Sequence, residues 1–183
     1  MRLYRGCIRG CFRDLEVWIK FSIFVRCLIL SSMSYVMGID PGKGGGIAVL
    51  DMGSHDVIDV VPMPSTLTDI SDFVCKYRDA ECVYIEVVHS MPRQGVASTF
   101  TFGQYYGYVQ MAVTCHGIRC IDVLPSKWQQ SLGAKSLKGE SYASHKRRLK
   151  GMAQKLFPGV RVTLDVADAL LIAEYGKRRE LGI

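Results

Sequence analysis

Four carboxylates stand where the local sequence gives each a rigid mount. Asp40 follows the apolar run Tyr35-Val36-Met37-Gly38-Ile39 and precedes Pro41-Gly42-Lys43-Gly44-Gly45-Gly46, so it sits where a buried strand breaks into a glycine turn. Glu86 lies inside Val83-Tyr84-Ile85-Glu86-Val87-Val88, and Asp165 and Asp168 are three apart in Leu164-Asp165-Val166-Ala167-Asp168-Ala169-Leu170. A carboxylate at a strand end is held by the sheet yet reached by solvent, which suits cation binding. An Asx turn, with Asp40 bonding only the backbone two residues on, is the other reading. A charge buried inside a strand is costly, so Glu86 needs either a Lys or Arg partner or a bound cation. The i, i+3 spacing of Asp165 and Asp168 is an ordinary helix-start signature and also places both on one helical face. Capping and catalysis are compatible there, because the first turn of a docked helix does not move.

Carboxylates brought together repel one another unless divalent cations lie between them, and an all-oxygen set favours Mg²⁺ or Mn²⁺ over zinc. Two such ions, about 3.5–4 Å apart, activate water and stabilise the leaving oxygen of a phosphodiester. The four acids converge if the first strand pairs with the fourth and the last helix packs across both.

The elements that must position them are legible. Residues 35–39, 47–51 and 57–62 read as three β-branched strands separated by Gly, Ser, His and Asp, a hairpin pattern. Leu67, Ile70, Phe73, Val74 and Tyr77 recur at helical spacing behind a Thr66 or Thr68 cap. A continuous apolar strand covers 82–88, an aromatic helix 98–116, and a fifth strand 119–124, ended by Pro125. A helical turn around Trp128, a Gly/Lys/Ser loop over 133–139, a helix over 141–157 stopped by Pro158-Gly159, and a last helix over 166–179 complete the chain. This order predicts an α/β domain with a mixed five-stranded sheet, a three-strand meander followed by alternating helices and strands, flanked by helices.

At 183 residues and 49% hydrophobic content the chain suits one domain with a real core. Residues 1–34 hold six of the 23 Lys/Arg against Asp14 and Glu16, so most of the formal +6 lies there and the body is nearly balanced. The balance hides a basic stretch: residues 126–161 carry Lys127, Lys135, Lys138, Lys146, Arg147, Arg148, Lys150, Lys155 and Arg161 against Glu140 alone. Such a stretch is either a solvated face or the footprint of a polyanion. Seven cysteines without C-x-x-C or paired-His spacing argue against zinc and against a secreted disulfide framework. They read as reduced thiols, mostly buried, in a cytoplasmic compartment.

Residues 1–34 are set apart as an N-terminal extension, leaving 35–183 as the domain. The apolar stretch 17–30 is interrupted by Lys20 and Arg26, too short and too charged to span a bilayer, so no membrane association is expected. An organellar transit peptide is the alternative, with Asp14, Glu16 and few serines against it. Translation starting at Met33 or Met37 accounts for the segment best, because the first clear strand begins there.

Together, Gly38-Ile39-Asp40-Pro41-Gly42, Tyr84-Ile85-Glu86 and Asp165-Val166-Ala167-Asp168-Ala169-Leu170 resemble the RuvC family of Holliday-junction resolvases, over essentially residues 35–176. Met91-Pro92-Arg93-Gln94-Gly95, Ser98-Thr99-Phe100-Thr101-Phe102-Gly103, Pro125-Ser126-Lys127-Trp128, Leu156-Phe157-Pro158 and Ala173-Glu174-Tyr175-Gly176 look closer to phage-type and chloroplast-type members. The resemblance implies an RNase H-like fold and a homodimer that nicks opposed strands of a four-way DNA junction symmetrically, leaving 5′-phosphate and 3′-hydroxyl ends. It implies two Mg²⁺ ions per site, replaceable by Mn²⁺, held by Asp40, Glu86, Asp165 and Asp168 as metal ligands and catalytic residues. Lys146 or a neighbour then contacts the scissile phosphate, the loop over 89–97 with Arg93 and Gln94 approaches the junction centre, and the helix from Ser98 forms the dimer contact. Lys127, Lys135, Lys138, Lys146, Arg147 and Arg148 are the expected DNA-binding cations. Met91-Pro92-Arg93-Gln94-Gly95 departs from the bacterial loop pattern.

An RNase H-like nuclease acting on RNA–DNA hybrids or other branched DNA is the alternative activity. An actin-like or sugar-kinase ATP-binding domain also opens strand-Asp-x-Gly but needs a second Asp-Gly phosphate loop, which is missing. A Walker A loop fails because Gly42-Lys43 is followed by Gly44, with no Ser or Thr.

Overall fold

A computed structural model describes residues 34–87 and 95–183, all within the compact unit Ser34–Ile183. The meander forms as the β-branched runs predict: β1 (Tyr35–Asp40), β2 (Gly46–Asp51) and β3 (Val57–Pro62). β1 and β2 pair antiparallel from Tyr35 opposite Asp51 to Asp40 opposite Gly46, and β2 and β3 pair antiparallel with a register shift between Val49 and Leu50. The Gly45 N–H donates to the Gly42 carbonyl at 2.8 Å, closing the first turn. At the second, the Asp51 carboxylate accepts from the Gly53 and Ser54 amides at 2.9 and 2.7 Å, an Asx turn.

Helix α1 (Leu67–Lys76) opens on Thr66, whose Oγ1 accepts the Asp69 N–H at 3.1 Å. β4 (Cys82–Glu86) then pairs parallel to β1, helix α2 (Val96–Cys115) crosses over, and β5 (Cys120–Val123) pairs parallel to β4. The sheet order is β3-β2-β1-β4-β5. Helices α3 (Pro125–Ser131), α4 (Tyr142–Leu156) and α5 (Leu164–Leu181) follow.

Both faces of the sheet are covered, which is why its central strands read as continuous apolar runs. Met37, Ile39, Ile47, Val49, Val83 and Ile85 pack in the layer with α1 and α2. Val36, Ala48, Leu50, Cys82 and Tyr84 pack with α3, α4 and α5. Gly38 is required here: a Cβ on it would run into the backbone of Ala169 and Ala173, so its absence lets α5 lie directly on β1.

Three expectations change. The strand expected over 82–88 closes at Glu86. The last helix begins at Leu164 with Thr163 as N-cap, so Asp165 lies within the first turn and does not cap it. Of the four described cysteines only Cys82 is buried, because Cys75, Cys115 and Cys120 fall on outward faces of their elements. No helix among the described residues is long and apolar enough to cross a membrane.

Candidate active site

Side chains alternate across a strand, and the alternation of β1 and β4 builds the site. Val36, Cys82 and Tyr84 face α3, α4 and α5, and Asp40 and Glu86 follow in the same parity at the strand ends. Ile39 opposite Ile85 is the last pair of the parallel register, so the two acids end neighbouring strands. The close seat of α5 on β1 at Gly38 carries Asp168 to the same end of the sheet. Asp168 and Asp40 are only 4% and 8% exposed.

Helix α4 supplies the cation between them. Lys146 Nζ lies 2.5 Å from Asp168 Oδ2 and 4.0 Å from Asp40 Oδ2. The other oxygen of Asp168, Oδ1, is buried with no hydrogen-bond partner among the described residues. Trp128, on α3 and fully buried, donates its indole N–H to Glu86 Oε1 at 2.7 Å. In front of these residues lies a cavity of about 770 Å³ lined by Asp40, Glu86, Lys146, the glycine turn, Phe102 and Tyr142. Asp168 and Asp165 are outside this lining, and Asp168 joins the site through Lys146.

Burial first, and then the charge of Asp168, pushes Asp40 up to about 6, against the pull of Lys146 and the Gly42 amide. Glu86 is pushed up to about 8 by burial and then by Asp40, with the Trp128 hydrogen bond acting the other way. Burial works to lower the Lys146 ammonium, but Asp168 and Asp40 more than reverse it and hold it above the usual lysine range. Asp165 is exposed at the rim, where its charge adds to the upward push on Asp40.

Among the described residues no group of three or more His, Cys, Asp and Glu side chains stands close enough together to hold a metal ion as placed. The donor chemistry still fits a hard divalent cation. It is all oxygen, one oxygen is orphaned, and the acids repel one another with a single lysine to offset them.

The basic residues divide. Lys127, Lys135, Lys138 and Arg147 are exposed on α3, on the 132–141 connection and on α4. Arg148 is not free: its guanidinium holds Glu140 at 2.9 and 3.0 Å and the Lys135 carbonyl at 2.6 Å. Glu140, the one acid of the basic stretch, is pushed down to about 2, chiefly by that pairing. Arg148 thereby ties the 132–141 connection to α4. Arg93 and Gln94 lie outside the described residues.

Trp128 was legible only as part of a motif. Its signal was an indole in the polar run Lys127-Trp128-Gln129-Gln130, which must bury and then find an acceptor. Tyr142 carried no signal; it stands 77% exposed at the cavity, with Lys146 Nζ 5.9 Å from its ring centre.

No family model matches the chain, and no curated protein matches it. Its structure is similar to T. thermophilus RuvC in complex with Holliday junction substrate, with a TM-score of 0.59 and 21% identity over 81% of this chain and 96% of that one. A second structure of Thermus thermophilus RuvC gives a TM-score of 0.57 and 18% identity over the same shares. With its mixed five-stranded sheet in the order β3-β2-β1-β4-β5 and helices on both faces, the chain has the RuvC fold, which is RNase H-like.

Proposed function

We propose that this protein is a divalent-metal-dependent endonuclease that resolves four-way DNA junctions by symmetric paired nicks. The observation that carries the reading is the meeting of Asp40, Glu86 and Asp168, from two strand ends and a helix, at one end of a RuvC-type sheet. Asp40, Glu86 and Asp168 hold the cations, with Asp165 assisting from the rim. Mg²⁺ or Mn²⁺, when bound, supplies activation of water and stabilisation of the leaving oxygen, giving 5′-phosphate and 3′-hydroxyl ends. Lys146 presents its ammonium to the phosphate at the cavity wall. Lys127, Lys135, Lys138 and Arg147 bind flanking backbone.

Paired nicks require two sites related by two-fold symmetry, and α2 offers the surface for it. Phe100 and Met111 are 67% and 62% exposed, and a Cβ on Gly103 or Gly107 would meet nothing within 4 Å among the described residues. These positions recur at helical spacing as one open stripe suited to a second copy.

The test is cleavage of a synthetic four-way junction beside linear duplex and RNA–DNA hybrid, with Mg²⁺ and incisions mapped on end-labelled strands. Symmetric, ligatable nicks in the junction support the reading. Preferential cutting of the hybrid rejects it in favour of an RNase H-like nuclease.

A further inference from the structure

We propose that Trp128 is the positioning residue of Glu86: its indole fixes one carboxylate oxygen and so presents the other to the cavity as a cation ligand. The inference rests on the reading of Glu86 as a ligand. A glutamate has three side-chain torsions, and the last is broad and two-fold, so a glutamate at a strand end has no intrinsic aim. Trp128 supplies one. It is fully buried and packs in the same layer as Val166 and Leu170 of α5, so its ring cannot turn away.

The placement follows from chain order. β5 lies beside β4, and α3 starts at Pro125, immediately after β5, so the short helix stands over the end of β4. Pro at its first turn needs no N–H partner and sets the entry. Trp128, three residues further on, faces inward where Glu86 ends its strand. The indole N–H can only donate and, once buried, needs an acceptor. Among the described residues Glu86 receives no other hydrogen bond, so the 2.7 Å contact is its anchor. Glu86 Oε1 is thereby occupied, and the same side chain lines the cavity with Asp40. Partners of this kind orient ligands and tune them, and their loss costs a metal site about 10–100-fold.

The first test is Trp128→Phe, which keeps an aromatic ring and removes the donor. Mn²⁺ binding, followed by the loss of its free paramagnetic signal, is expected to weaken about 10–100-fold, with a cooperative thermal transition retained. The second test leaves the tryptophan in place. The chain has two tryptophans, so ¹⁵N-indole spectra carry two signals. The Trp128 signal is expected to exchange slowly with solvent and to shift both in Glu86→Gln and on titration with Mg²⁺. Wild-type protein that binds Mn²⁺ no more tightly than Trp128→Phe overturns the proposal, as does a Trp128 signal indifferent to Glu86→Gln. Wild-type protein that binds no divalent cation overturns the metal reading itself.

Discussion

Lys146 Nζ sits 2.5 Å from Asp168 Oδ2, while the second oxygen of that carboxylate is buried without a partner among the described residues. The lysine thus offsets half of an acid pair that its own helix does not carry. Removing charge from Asp40, Glu86 or Asp168 leaves the core intact but dismantles this balance. Asp40→Asn, Glu86→Gln and Asp168→Asn are each expected to lower junction cleavage by at least about 100-fold, the upper end for loss of a mere outer partner, with junction binding retained. Asp165→Asn, exposed at the rim, is expected to be milder. Near-normal turnover in all four variants removes the acids from the chemistry.

The two raised carboxyls predict a pH-dependent stability. Asp40 and Glu86 ordinarily titrate at 3.8 and 4.5 but reach about 6 and about 8 in the fold, burial being the main cause. Between those limits the folded chain binds more protons than the unfolded one, so stability falls as pH rises. The contribution is fully present below about 4 and is lost by about 8. A bound divalent cation holds both groups ionised, so the gain in melting temperature from Mg²⁺ over EDTA is expected to grow from pH 5 to pH 8. A gain independent of pH contradicts this.

Arg148 and Arg147 are neighbours with different duties. Arg148 is engaged with Glu140 and the Lys135 carbonyl, whereas the exposed Arg147 turns back to the Ala143 carbonyl of its own helix at 3.2 Å. Changing Lys135, Lys138 and Arg147 to Ala is expected to reduce the log–log salt slope of junction binding by about 0.9 for each phosphate that is no longer neutralised. Arg148→Ala is expected to lower thermal stability and leave that slope nearly unchanged. Fluorescence anisotropy across a salt series reads both, and a slope that falls only with Arg148→Ala reverses the assignment.

On α2, a Cβ added at Gly103 or Gly107 would meet nothing within 4 Å among the described residues. Alanine at either position should stabilise an isolated helix by up to about 1 kcal/mol. If a second copy approaches there, the same substitution weakens dimerisation. Gly107→Ala and Met111→Glu are expected to shift the protein toward monomer in sedimentation and to turn paired nicks into single ones. Unchanged mass and paired cutting place the dimer contact elsewhere.

The compact unit begins at Ser34, one residue before β1. We propose that residues 1–32 are dispensable for the chemistry, so a chain starting at Met33 is expected to fold cooperatively and cut junctions at the full-length rate. An unfolded or inactive product assigns the extension to the domain.

What the sequence determined by itself was local: where strands break, where helices start and stop, and which residue types could bind a hard cation. The glycine turn after Asp40, the β-branched runs and the Thr66 cap are written in neighbouring residues, and the resulting elements follow them closely. The acids were legible as chemistry because a carboxylate in a strand or at a helix start needs an explanation wherever the chain goes. Tertiary structure decided their company. Whether Glu86 met a lysine, a cation or an indole depended on α3 standing over β4, and its partner proved to be Trp128, 42 residues away. The pairing of Lys146 with Asp168, the capture of Arg148 by Glu140, and the outward turn of three cysteines have the same origin. Periodicity reports which face of an element is apolar. Partners across the fold follow from sheet order, strand parity and the closeness with which a helix seats, here set by Gly38 beneath α5.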